Sequence, residues 1–268
     1  MKTTLTTLLM SLFINLSFGQ GSWEKDLTIP VEDTAITFNQ RTEVSDTITE
    51  LTYSVYTPKL ESGKKYPVVI QMNGALFTSE DHPSYTVSPR LPSRVPVFGF
   101  STIVKLVKEL PQVDLNRVYI MGYSIGGERT TKFIYAYPDF CAAAAPMAGG
   151  GLLREGPSPF NALAVKDVAI WSFYGDQDPV CDYQFMRNNF DSSAAVGGNF
   201  KLTTLKGAKH GIGNWIEYAG EDSIAVRGTS TTHAVTHECS TEGVCDMEEM
   251  VFIEWLFKQE RKPTMDKK

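Results

Sequence analysis

Apolar residues in this chain fall into short blocks separated by turn-forming residues, and the blocks alternate between two periods. Val68 to Met72, Arg117 to Met121, Ala142 to Met147 and Val168 to Tyr174 are brief, mostly apolar runs of the kind that form buried strands, and Lys201 to Leu205 also looks like a strand. Tyr85 to Ser88, ended by Pro89, is a further strand candidate. Between these runs the period changes. Thr102 to Leu110 carries Ile103, Val104, Leu106, Val107 and Leu110 at helical spacing, Glu128 to Ile134 can continue as a helix, and Asp182 to Ala195 fills the next gap. Met247 to Gln259 places Met250, Ile253, Leu256 and Phe257 on one broad face, which suits a helix lying on a sheet. Upstream, Ala35 to Phe38 and Ile48 to Tyr56 alternate in part and predict an antiparallel hairpin at a sheet edge, ended by Pro58. Strands alternating with helices give an α/β fold: a mostly parallel central sheet with an antiparallel N-terminal hairpin and helices on both faces. A length of 268 residues suits one such domain, and no internal repeat is visible.

Ligands of such sheets bind beyond the carboxyl ends of the strands, so the residues that follow each strand are where chemistry is expected. Gly122-Tyr123-Ser124-Ile125-Gly126 follows the Arg117 to Met121 strand and precedes a helix. A serine between glycines at a strand-to-helix turn is forced into a cramped backbone conformation that presents its hydroxyl beside the helix N-terminus. A serine hydroxyl is a poor nucleophile near neutral pH and needs a base within hydrogen-bond reach. His210, in Lys206-Gly207-Ala208-Lys209-His210-Gly211, follows the Lys201 to Leu205 strand; His82, His233 and His237 lack a preceding strand in the right order. An acid to hold the imidazole tautomer is expected from Gly175-Asp176-Gln177-Asp178-Pro179-Val180, with Asp178 favoured and Asp176 bracing the turn. The catalytic candidates are therefore Ser124, Asp178 and His210, in the order Ser, Asp, His. The oxyanion would take one backbone N–H from Ile125 and a second from Ala75 or Leu76, after Asn73-Gly74. Tyr123 and Trp215 are candidate substrate contacts, and Tyr218 is a further aromatic beyond the histidine loop.

The runs Asp114-Leu115-Asn116-Arg117-Val118-Tyr119-Ile120, Gly126-Gly127, Tyr137-Pro138-Asp139-Phe140, Ala142-Ala143-Ala144-Ala145-Pro146 and Gly175-Asp176-Gln177-Asp178-Pro179-Val180 carry a resemblance. They are similar to the secreted α/β-hydrolases, more narrowly to the branch of polyhydroxybutyrate-depolymerase-like, feruloyl-esterase-like and predicted-peptidase-like proteins. The likeness runs from about Tyr66 to Trp215 and resumes at Trp255. It implies an α/β-hydrolase fold, an esterase-type serine hydrolase with Ser124, Asp178 and His210 as its triad, no cofactor, and a small or polysaccharide-borne ester as substrate. Two departures stand out: Asn73 occupies a position where the family usually has histidine, and Phe77 to Pro96 is compressed. A serine peptidase of the same fold, or a catalytically silent member that binds carbohydrate or a partner, are the alternatives.

A net charge of −6 with no clustered lysine or arginine face excludes nucleic acid as the expected partner. Lys2, the apolar run Leu8 to Leu16 and Ser17-Phe18-Gly19 read as a signal peptide over residues 1–19, interrupted by Ser11 and Asn15 and too short to anchor in a membrane. The mature chain is then expected from about Gln20, with no membrane span and a secreted or periplasmic destination. An oxidising compartment permits disulfides, and Cys239 with Cys245 is the leading pair, while Cys141 reads as a buried thiol and Cys181 is left open. The polar segment at about 219–246 reads as an insertion in the domain of residues 20–268. Its His233, His237, Cys239 and Cys245 could in principle ligate zinc, but a disulfide with two solvated histidines is the better reading, so no metal is expected.

Overall fold

The computed structural model describes residues 21–31, 49–72, 81–91, 99–149, 162–212, 233–240 and 251–261. In chain order the elements are β1 (Gly21–Pro30), β2 (Glu50–Pro58), β3 (Tyr66–Met72), β4 (Tyr85–Arg90), α1 (Phe100–Glu109), β5 (Val113–Tyr123), α2 (Ile125–Ala136), β6 (Ala143–Met147), β7 (Ala169–Gly175), α3 (Tyr183–Ala195), β8 (Phe200–Leu205), β9 (Val235–Cys239) and α4 (Phe252–Phe257). The strands form one sheet in the order β1-β2-β4-β3-β5-β6-β7-β8-β9. Its interior, from β4 to β8, is parallel, and β1, β2 and β9 run antiparallel to their neighbours. After β3 the chain steps to one side for β4 and to the other for β5, so the order of strands reverses there. Such a reversal opens a crevice beyond the strand ends.

The buried interior strands explain why their sequences are near-continuous apolar runs. Val68 and Ile70 face the cluster that contains Phe100, Ile103 and Val107 of α1, Phe133 and Ile134 of α2, and Met186 and Phe190 of α3. Val69, Tyr119, Met121, Trp171 and Phe173 face the other way, onto Phe252, Trp255 and Leu256 of α4. Helices therefore cover both faces, each strand sending alternate side chains to opposite layers. The second layer is aromatic: Trp171 stands edge-on to Phe252 and Trp255, with ring centroids 5.7 and 5.2 Å apart.

The expected antiparallel N-terminal pair is present, but one of its strands is not the one read from the sequence. The strand paired with β2 is β1, and Ala35 to Phe38 lies outside the described residues. The register of β1 slips between Glu24 and Leu27, where Asp26 takes φ 55°, so Trp23 lies opposite Tyr56 and Leu27 opposite Tyr53. That bulge shifts Leu27 and Ile29 out of phase with Trp23. The β5 strand is longer than its buried centre because a second irregularity opposite Tyr66 and Val68 adds Val113 to Arg117. Asp114 holds this excursion by accepting from Asn116 N and Arg117 Nε at 3.1 and 2.7 Å.

The polar segment at 219–246 contributes to the sheet. Val235–Cys239 is the edge strand beside β8, with His237 opposite Thr203. His237 Nδ1 lies 2.8 Å from Thr203 Oγ1, which also accepts Trp171 Nε1–H at 2.7 Å, so His237 is tied to the core rather than simply solvated. Among the described residues, no helix is long and apolar enough to cross a membrane.

Candidate active site

Ser124 occupies the single residue between β5 and α2, with φ 55° and ψ −119°. A non-glycine residue in this region costs on the order of 1–3 kcal/mol and persists only when its surroundings over-determine it. They do so here. Ser124 N–H donates to Met147 O of the neighbouring strand at 2.9 Å, and Ser124 O accepts Glu128 N–H at 3.1 Å to open the helix. The turn is so tight that a Cβ on Gly122 would sit 2.5 Å from the Gly126 backbone and 2.6 Å from Met72 O. The glycine before the nucleophile is thus dictated by close backbone approach.

The acid comes from the turn after β7. Asp178 Oδ1 accepts the N–H groups of Val180 and Cys181 at 2.8 and 3.0 Å. Its Oδ2 lies 2.8 Å from His210 Nδ1, and the carboxyl side chain is fully covered. Three partners fix this carboxylate in one orientation. On the other side of the ring, His210 Nε2 lies 2.9 Å from Ser124 Oγ. The structure therefore brings together the hydroxyl, imidazole and carboxylate that the sequence places at three distant positions. Asp176 goes elsewhere: its Oδ1 accepts Gly207 N–H at 2.7 Å and its Oδ2 faces Lys206 Nζ at 3.6 Å. Its carboxylate therefore ties the turn to the loop after β8 rather than bracing the turn internally.

Those two loops are laced together. Asp176 N–H donates to Leu205 O and Gln177 N–H to Ala208 O, at 3.3 and 3.0 Å. A Cβ on Gly175 would meet Ala208 O at 2.3 Å, which shows how closely they pass. The histidine loop is tied in turn to the elbow, since Tyr123 Oη donates to the His210 carbonyl. The same carbonyl accepts Ile212 N–H at 2.8 Å, and the Tyr123 and His210 rings stand 5.2 Å apart. The hydroxyl of Tyr123, a candidate substrate contact, holds the backbone of His210. The residue type gives no signal of this, because the bond depends on a loop 87 residues away.

Of the proposed oxyanion donors, Ile125 opens α2, at a position whose N–H has no acceptor within the helix. Ala75, Leu76 and the substrate candidate Trp215 lie outside the described residues. The other histidines are engaged away from Ser124. His82 Nε2 lies 2.9 Å from Glu254 and stacks on Phe257, His233 Nδ1 donates to Lys206 O at 3.2 Å, and His237 holds the sheet edge.

Electrostatics around the site are set by burial. Cys181, directly below the acid loop, is buried, and desolvation together with the charges of Asp178 and Glu128 pushes its thiol up to about 12. It is a neutral thiol at physiological pH and no rival nucleophile. Tyr174 is pushed well above its usual range by burial first, and then by Cys181 and the carboxylates of Asp178, Asp182 and Glu128, so it stays a donor, and its hydroxyl bonds the Gly149 carbonyl. Arg129, buried in α2, donates to Leu91 O at 2.9 Å; burial lowers its guanidinium to about 10, against the raising effect of Glu128. Arg129 was not among the expected site residues, and a charged residue inside a helical run gives no sign that it will be buried.

Comparison with known structures agrees with this architecture. A thermostable esterase superposes with a TM-score of 0.56 at 22% identity, over 88% of this chain and 64% of its own length. The chain has the α/β-hydrolase fold. Other solved structures are similar at lower identity. Dipeptidyl peptidase 4 of Porphyromonas gingivalis gives a TM-score of 0.53 at 14% identity, over 76% of this chain and 33% of the peptidase. Fluorophosphonate-binding serine hydrolase F of Staphylococcus aureus gives 0.50 at 12%, over 72% and 92%. The chain thus spans less than two thirds of the esterase and about a third of the peptidase. The sequence model of the phospholipase/carboxylesterase family matches residues 89–215, just under half of the chain and inclusive of Ser124, Asp178 and His210. No curated protein matches the chain in sequence.

Proposed function

We propose that the chain is an exported serine hydrolase that cleaves carboxylic esters through an acyl-enzyme on Ser124. The observation that carries this reading is the unbroken relay, with His210 Nε2 2.9 Å from Ser124 Oγ and Nδ1 2.8 Å from the covered Asp178 carboxylate. As Ser124 Oγ attacks the ester carbonyl, its proton passes to His210 Nε2, and Asp178 stabilises the imidazolium and holds Nδ1–H in place. The oxyanion that forms is placed near the Ile125 N–H, with the backbone N–H of Ala75 or Leu76 as its partner. His210 then returns the proton to the leaving alcohol, and water repeats the sequence to release the acid.

An ester on an extracellular polysaccharide is the substrate class favoured by the family resemblance, and the similarity to the phospholipase/carboxylesterase family supports ester over amide. Export is supported by the signal-like N-terminus, and a Cys239–Cys245 bridge belongs to the same reading; among the described residues the free cysteines are Cys141 and Cys181. The peptidase alternative draws on the resemblance to dipeptidyl peptidase 4. A fluorophosphonate probe should label wild type and leave Ser124→Ala unmarked. Acetyl, butyryl and feruloyl esters set against matched amides should be turned over in preference to the amides. No labelling and no ester turnover would favour the binding-only member; amide turnover at or above ester turnover would favour the peptidase.

A further inference from the structure

The loop that supplies the acid also supplies a thiol. Cys181 is 1% exposed, and its backbone N–H is held by Asp178 Oδ1 at 3.0 Å. Its Sγ, a carboxylate oxygen of Asp178 and a ring nitrogen of His210 all lie within 4.8 Å of one another. The ring nitrogen that faces Asp178 is Nδ1, 2.8 Å from Oδ2. Among the described residues this is the one group of histidine, cysteine and carboxylate compact enough to chelate an ion. We propose that it is an inhibitory site for a thiophilic divalent cation, zinc in the first instance, held by Cys181 Sγ, the Asp178 carboxylate and His210 Nδ1. Its effect on turnover rests on the serine-hydrolase reading; the binding itself does not.

The donor set is what selects the ion. One sulfur, one imidazole nitrogen and one carboxylate oxygen suit zinc or cobalt, whereas magnesium and calcium prefer all-oxygen shells. In a tetrahedron with Zn–S near ~2.3 Å and Zn–N or Zn–O near ~2.0 Å, donors stand roughly 3.3–3.6 Å apart. The cluster therefore has to contract by about 1 Å at its widest and open slightly between Nδ1 and Oδ2. The fourth position falls to water, from the side on which the His210 side chain keeps 21% of its exposure. Thiolate and carboxylate together balance the two positive charges of the ion.

The consequence for the relay follows from proton placement. Zinc takes the Nδ1 lone pair, so the Nδ1 proton leaves, a proton settles on Nε2, and the thiol releases one proton to solvent as its sulfur binds. The net change is one proton released, with no oxidation or reduction. A protonated Nε2 can only donate toward Ser124 Oγ across the 2.9 Å contact, so the base is lost while the geometry stays in place.

The test begins with binding, read without turnover. Metal-stripped wild type titrated with cobalt(II) should develop a near-ultraviolet thiolate-to-cobalt charge-transfer band that saturates at one equivalent and is displaced by zinc. The band should vanish in Cys181→Ser and persist in His233→Ala. On a p-nitrophenyl ester, zinc should abolish wild-type turnover reversibly by chelator, and magnesium should not. Cys181→Ser, measured against its own metal-free rate, should need about tenfold more zinc or higher for half inhibition. A wild type without the cobalt band, a band that survives Cys181→Ser, or equal zinc sensitivity in both proteins would each overturn the proposal. If Cys181→Ser does not fold, Cys181→Ala takes its place, and the wild-type spectrum decides alone. A cobalt band in a protein that hydrolyses no ester would support the metal site and sink the hydrolase reading instead.

Discussion

Replacing Asp178 with asparagine changes one atom of the carboxyl group, and the structure dictates where the amide must put its nitrogen. Two N–H groups, from Val180 and Cys181, point at Oδ1. An NH2 in that place would leave both donors and itself unsatisfied, at about 1–3 kcal/mol for each buried group. The amide oxygen therefore takes Oδ1's position and the NH2 faces His210 Nδ1. Two donors cannot share that 2.8 Å contact, so the imidazole moves its proton to Nε2. Nε2–H then donates to Ser124 Oγ and can no longer accept from it. A wrong-tautomer substitution of this kind costs about 10⁴ in kcat, equal to about 5.4 kcal/mol of transition-state stabilisation. Because the side chain keeps its shape and its two backbone bonds, Tm should hold. The assay is kcat/KM on p-nitrophenyl acetate together with fluorophosphonate labelling rate and a thermal melt. Asp176→Asn is the matched control: its amide oxygen can still accept Gly207 N–H, and it loses only a partly exposed ion pair worth little. Loss of less than about tenfold in Asp178→Asn, equal losses in both variants, or a loss that tracks a fallen Tm would refute the tautomer argument.

Tyr123→Phe removes only the hydroxyl that holds the His210 carbonyl, and should lower kcat roughly ten- to hundredfold with KM unchanged across acyl lengths. A KM that rises with acyl length would instead mark Tyr123 as a substrate contact. Gly122→Ala drives a Cβ into backbone at 2.5 Å with no side chain to yield, and should cost roughly 3 kcal/mol or more in urea unfolding. Phe252→Ala empties a fully buried ring from the Trp171 layer and should cost about 3–5 kcal/mol, with fluorophosphonate reactivity retained in the folded fraction.

What the sequence made legible was whatever depends on local period or on residues close along the chain. The interior strands read well because burial on both faces leaves near-continuous apolar runs, as in Val68 to Met72 and Val168 to Tyr174. The elbow read well because its strain is local, and Ser124 carries it in its own φ of 55°. Strand β1 is hard to read because Glu24, Lys25 and Asp26 interrupt its few apolar residues and most of the strand is exposed. Strand β9 was passed over for a different reason. Val235, His237 and Cys239 do alternate with Thr236 and Glu238, but the inward histidine is polar and finds its partner only in Thr203 of another strand. Tyr123 shows the same limit within the site: its position beside Ser124 was plain, and the loop it holds was not.

The choice between Asp176 and Asp178 shows how the fold assigns roles to residues of the same type. Both carboxylates leave the end of β7 within one turn, so residue type cannot separate them. Asp176 is the first residue past the strand, and its backbone N–H still bonds Leu205 O, in continuation of the pairing with β8. From there its side chain meets Gly207, the near part of the β8 loop. Two residues later the turn has closed on itself, with Asp178 N–H on Gly175 O at 3.3 Å, and the carboxylate points over its own following N–H groups. Only that second position leaves one oxygen satisfied by backbone and the other available for a ring arriving from the far end of the same loop. Asp176 holds the loop that delivers His210, and Asp178 holds the ring it delivers. On this division of labour, moving the carboxylate back by one helical or turn position would not restore function: Asp178→Asn combined with a new acid at Gln177 should remain as inactive as Asp178→Asn alone, because Gln177 is exposed and its backbone is already spent on Ala208. Recovery of ester turnover in that double variant would show that the relay tolerates an acid without the backbone clamp.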